Sequence, residues 1–132
     1  MEFAPDAKIQ QIAEAYALDA IDLAKKNFGV TLDGTDESIA QVESVFVTLH
    51  QAMAQKPPAE VIWTFAKTFG SYTGEVFRKH HGGEWGRLSQ EGSIVATMRW
   101  NGTLFWPFAR AHKRIVDGPE NNIWHYYQTL RM

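Results

Sequence analysis

The chain contains no cysteine. A disulfide scaffold, a thiolate zinc site, an iron–sulfur cluster and a cysteine nucleophile are therefore excluded. No apolar run approaches the ~18 residues that a membrane-spanning helix needs. The first stretch, MEFAPDAKIQQIAEAYALDAIDLAKK, carries a charge every few residues, so it reads as an amphipathic helix and not as a secretory leader. The expected location is the cytoplasm. Several chemical signatures are missing as well. There is no GxxxxGK[ST], and no GxGxxG lies between a strand and a helix. HExxH and the HxE…PCxxC pattern of zinc deaminases are absent, and no serine stands in a GxSxG context. No cofactor and no metal is expected.

What is present is the material of one core. The 132 residues are 45% hydrophobic, 21% charged and 13% aromatic, with five tryptophans. That is enough for a single domain spanning residues 1–132, and too little for two comfortable ones. The net charge of -2 conceals an asymmetry. Residues 1–60 hold ten acidic and four basic side chains, whereas residues 61–132 hold five acidic and nine basic ones. The second part could turn a basic face to an anionic ligand or an acidic partner, or the two parts could complement each other within the fold.

Periodicity predicts a mainly helical α+β fold: about three N-terminal helices, a small antiparallel sheet, then two short C-terminal helices. The first helix starts after Pro5 with Asp6 as its cap and stops at Gly29. Ile9, Ile12, Ala13, Tyr16, Ala20, Leu23 and Ala24 mark its buried face. The second is capped by Thr35 or Asp36 and carries the stripe Ile39, Val42, Phe46, Leu49 and Met53, ending at Pro57-Pro58. The third runs from about Pro58 to His81 with two apolar faces, one of Ile62, Phe65, Phe69, Tyr72 and Val76, the other of Trp63, Ala66, Gly70, Gly74 and Phe77. Apolar over so much of its circumference, it should be central. Gly82-Gly83 stops it. A strand over Ser93–Trp100 turns at Asn101-Gly102, the dipeptide of a type I′ hairpin, and returns through Thr103–Trp106. Glu84–Leu88 supplies a third strand that turns through Gln90-Glu91-Gly92. Pro107 opens a fourth helix that Gly118 ends, and Pro119 opens the last.

Candidate chemistry centres on GSYTGEVFRKHHGGEWG, residues Gly70 to Gly86. Glycines at 70 and 74 lie one turn apart, each costing about 1 kcal/mol in a helix relative to alanine. They make room either for a close backbone, helix 1 or the hairpin, or for a ligand. Glu75 and Arg78 face each other at i, i+3. A carboxylate on so apolar a helix needs a partner: Arg78, Lys113 or Arg114. His80, His81 and Glu84 are close in sequence, but adjacent histidines on a helix diverge by about 100°, which argues against a metal site. The binding candidates are Tyr72, Glu75, Arg78, His81, Trp85, Arg99, Lys113 and Arg114. Basic residues interleave with Trp85, Trp100 and Trp106, as in single-strand nucleic-acid binders. The negative total charge and a pI near 6.2 argue against that class.

Taken in order, these motifs resemble a family of small bacterial proteins without an assigned activity. Its marks are a leucine–aspartate connector (Leu32-Asp33), a G-x-Y-x-G-E-x-x-R helix running into G-G-x-W (Gly70, Tyr72, Gly74, Glu75, Arg78, Gly82, Gly83, Trp85), and a later P-F-x-x-x-x-K-R-x-x-x-G segment (Pro107, Phe108, Lys113, Arg114, Gly118). The resemblance covers roughly residues 28–127 and implies a bacterial origin and a self-contained domain. The sequence leans away from catalysis, towards a binding protein with a protein partner, of the immunity or regulatory kind. The alternatives are a small enzyme or anion-binding module around Glu75, Arg78 and Trp85, and a subunit of a homo-oligomer.

Overall fold

The computed structural model describes residues 2–132. Strand β1 (Glu2–Pro5) precedes helix α1 (Ala7–Phe28), a connector ending in a 3-10 turn (Asp36–Ser38), α2 (Ile39–Ala52) and α3 (Ala59–His81). Strands β2 (Glu84–Gln90), β3 (Ser93–Trp100) and β4 (Thr103–Phe105) follow, and then α4 (Pro107–Asp117) and α5 (Ile123–Leu130). The expected α+β order is the order found. The local signals act where the sequence places them. The Asp6 side chain accepts from the backbone N–H groups of Lys8 and Ile9, and Gly29 caps α1 in the left-handed conformation. Thr35 caps the 3-10 turn ahead of α2. Pro119 corrects one expectation. It opens another 3-10 turn, and α5 starts only at Ile123, capped by Asn122.

All four strands are antiparallel, in the order β1-β2-β3-β4. Asn101 and Gly102 both have positive φ, as a type I′ turn demands, and so do Glu91 and Gly92 at the preceding turn. Strand β1 has no counterpart in the periodicity. It is four residues long, and its pairing with β2 spans three intervening helices. Its last residue, Pro5, sits at the sheet edge, where a missing N–H costs nothing.

Helix α3 is central: α1 and α4 pack along it, and the sheet meets its C-terminal half. Both glycines are explained by close approach. A Cβ on Gly70 would lie 2.7 Å from the Pro107 carbonyl oxygen, so α4, and not helix 1 or the hairpin, needs that glycine. A Cβ on Gly74 would lie 2.7 Å from Trp85 Cη2 and 3.1 Å from Met98 Sδ, in the sheet. The core gathers Phe46, Phe69, Phe77, Tyr127 and the alanines of α1 around this helix. Several residues expected on buried faces are not fully buried; Ile9, Leu23, Met53 and Phe65 are half-buried. Ile12 is 45% exposed, Trp63 is 39% exposed, and Tyr16 is half-buried. Among the described residues no helix is long and apolar enough to cross a membrane.

Candidate functional site

The sequence candidates do not converge on one place. Glu75, Arg78 and Trp85 do meet. Glu75 projects from α3 towards β2 and is 4% exposed. Arg78 Nε donates to its Oε2 at 2.8 Å and Arg78 Nη2 to its Oε1 at 3.0 Å. The Trp85 indole N–H donates to Oε2 at 2.9 Å. Burial pushes the Glu75 carboxyl up, but the hydrogen bonds from Arg78 and Trp85 and the charges of Arg78 and Lys79 outweigh it and hold it below its ordinary value. This is a carboxylate kept ionised and fully used. A buried base awaiting a proton would be shifted the other way.

Tyr72 faces the connector. Its hydroxyl accepts from the Gly34 backbone N–H at 2.9 Å and shares a 2.6 Å hydrogen bond with Ser38 Oγ, whose own proton goes to the Thr35 carbonyl. Burial pushes the Tyr72 phenol up. His81 lies a few turns on and belongs to a different cluster. Its Nε2 is 3.0 Å from Asp36 Oδ1, and Asp36 also accepts from the Tyr127 hydroxyl and pairs with Arg131 at 3.2 Å. Burial raises the Asp36 carboxyl, yet the Tyr127 and His81 hydrogen bonds leave it below its ordinary value. Burial pushes the Tyr127 phenol far up, and its hydrogen bond to Asp36 adds to the rise. His80 diverges from His81, as adjacent helical residues must, and bonds the Gly34 carbonyl at 2.7 Å. The connector is thus held by α3 and α5 together.

The remaining candidates stand elsewhere. Arg99 pairs with Glu84 and lies 4.5 Å over the Phe3 ring. Arg114, 1% exposed, clamps Glu43 of α2 through Nε and Nη2, and the Ile123 backbone N–H donates to the same carboxylate at 2.9 Å. Lys113 is exposed on α4. Arg78, Arg99 and Arg114 therefore each neutralise a separate carboxylate and do not form a common anion site. Among the described residues no group of three or more acidic or histidine side chains gathers as a metal site would.

One concavity has no counterpart among the sequence candidates. A cleft of about 500 Å³ opens where α1, α3, α4 and β3 come together. Ile12, Tyr16, Trp63, Ile94 and Phe108 are among its apolar lining, and Lys67 is its one charged lining residue among the described residues. Trp63 is held in place by stacking on His112, ring centroids 3.8 Å apart and planes 13° from parallel. Burial lowers the pKa of His112, favouring the neutral ring that stacks there. Helical spacing groups Ile12 and Tyr16, and separately Trp63, on apolar faces. It carries no signal that the two faces diverge and leave a gap between them.

No family model matches this chain, and no curated protein sequence matches it. Its fold is similar to that of a crystal structure from Bacteroides thetaiotaomicron VPI-5482, with a TM-score of 0.70 at 15% sequence identity, over 98% of this chain and 46% of that one. The chain thus spans less than half the length of that solved polypeptide, and the likeness is one of fold.

Proposed function

We propose that this is a non-catalytic binding protein, an immunity-like or regulatory factor, that takes a segment of a partner protein into the cleft between α1, α3, α4 and β3. The observation that carries the reading is the exposed apolar lining of that cleft around Trp63. Exposed apolar patches mark interaction sites, and tryptophan is enriched among the residues that carry binding energy at protein interfaces. The carboxylates of the polar clusters support it from the other side. Glu75, Asp36 and Glu43 are each saturated by hydrogen bonds from within the fold, so their chemistry is spent on holding elements together.

The test is capture by the whole chain compared with capture by a Trp63→Ala/Ile12→Glu variant, both shown to be folded by circular dichroism. A partner retained by the parent chain and lost by the variant is the expected result. A partner held equally by both would overturn the reading, and so would a turnover found by metabolite screening that Glu75→Gln abolishes.

A further inference from the structure

One wall of the cleft is an open sheet edge. Strand β3 pairs with β2 from Ser93 to Arg99, but β4 pairs only with Met98, Arg99 and Trp100. Both hairpins have two-residue turns, and the pair that closes such a turn exchanges both of its hydrogen bonds, as does every second pair beyond it. Ser93, Val95, Thr97 and Arg99 therefore direct their backbone groups to β2. Ile94, Ala96, Met98 and Trp100 direct theirs to the other side. Phe105 and Thr103 meet Met98 and Trp100 there, and the chain then leaves the sheet at Trp106 for α4. The N–H and C=O groups of Ile94 and Ala96 point into the space beyond β4 and bond no other backbone group among the described residues.

That stretch lacks three of the usual protections. Exposed edges are normally blunted by charge, proline or a bulge. Ser93-Ile94-Val95-Ala96-Thr97 carries no charge and no proline, and its register with β2 is unbroken. The Ile94 side chain is 67% exposed. Ile94 and Ala96 alternate with Val95 and share a face with Met98, which packs towards α3. Their side chains therefore look into the same cleft as Trp63 and Phe108.

Resting on the binding function above, we propose that the cleft takes its partner by strand addition: an extended segment of another protein pairs with Ile94 and Ala96 and continues the line of β4. Residues of the segment opposite Ile94 and Ala96 share their face and drop apolar side chains onto Trp63, Ile12 and Phe108. Lys67, paired with no carboxylate among the described residues, selects a segment with an acidic residue near its apolar pair. Backbone pairing supplies the affinity and the cleft supplies the choice of sequence.

The experiment pans a phage-displayed random dodecapeptide library against the whole chain. Enriched peptides should alternate apolar and polar residues and carry an acid. A synthetic copy of the best should slow hydrogen exchange at the Ile94 and Ala96 amides of the parent chain at least tenfold. Methylating alternate backbone nitrogens of that peptide should weaken it at the edge-facing positions only, and Lys67→Glu should weaken it severalfold. Binding that needs Trp63 but leaves the two amides unprotected overturns strand addition and keeps the cleft as the binding site. Binding indifferent to Trp63 overturns both. A library that yields no binder overturns strand addition, as does sedimentation showing that two copies of the chain pair through this edge.

Discussion

Gly74→Ala is the substitution on which the packing argument is most exposed. In a free helix it would stabilise the protein by about 1 kcal/mol, because alanine has the better helical propensity. Here the added methyl would lie 2.7 Å from Trp85 Cη2, closer still to Cζ2, and 3.1 Å from Met98 Sδ. The ring has nowhere to go. Trp85 is 1% exposed, and its indole N–H is tied to Glu75 at 2.9 Å. Overpacking a tight core costs about 1–3 kcal/mol, and freeing a hydrogen bond to a buried charged group costs about 1.5–3 kcal/mol. Against the propensity gain, the net should be a loss of about 2–4 kcal/mol. Urea unfolding followed by circular dichroism should show a midpoint lowered by more than about 1 M, with the slope unchanged. In a Trp85→Phe background the colliding atoms are gone, so the same change should cost at least about 1 kcal/mol less, a coupling that a double-mutant cycle reads directly. A Gly74→Ala protein as stable as its parent, or more so, would refute the account of the helix–sheet contact.

Two further outcomes follow from the polar clusters. The folded-state pKa of Glu75 lies below its ordinary value, so its contribution is complete above the unfolded-state value near pH 4.3 and is lost as pH falls through the folded-state value. Glu75→Gln should lower stability at pH 7 by about 1.5–3 kcal/mol and flatten the decline between pH 5 and pH 3; parallel curves from urea titrations across that range would contradict it. Arg114→Met leaves the Glu43 carboxylate without its cation in a largely buried setting and should cost about 3–5 kcal/mol. Adding Glu43→Gln, which keeps an acceptor for the Ile123 N–H, should recover more than half of that loss, and strict additivity of the two changes would contradict the pairing.

The parts of the fold that were legible in the sequence are those fixed by neighbours. A cap such as Asp6, a stop such as Gly29, a type I′ turn at Asn101-Gly102 and a proline opening α4 each act within a few residues, so their chemistry is readable in a short window. The Glu75–Arg78 pair was legible for the same reason, being one helical turn long. Trp85 was grouped with this pair from the sequence only as a binding candidate; its hydrogen bond to Glu75 forms only after the chain has turned back at Gly82-Gly83. Asp36 offered no sign beyond a helix start. Its three side-chain partners, His81, Tyr127 and Arg131, lie in the second half of the chain and meet it only when α3 and α5 pack against the connector. Only Thr35–Ser38, the turn that holds it, was locally encoded.

The sequence by itself determined that Gly70 and Gly74 share a helix face, that Ile12, Tyr16 and Trp63 belong to apolar stripes, and that Ser93–Trp100 is a strand. Only the tertiary structure decided what each of these meets. Helical and strand periods state which residues lie together on one surface, because that follows from the backbone repeat alone. Whether such a surface is covered depends on the angles between elements far apart in sequence. Gly70 is covered by α4 and Gly74 by Trp85, whereas Trp63, Ile12 and the edge of β3 at Ile94 and Ala96 are left facing one another across an open cleft.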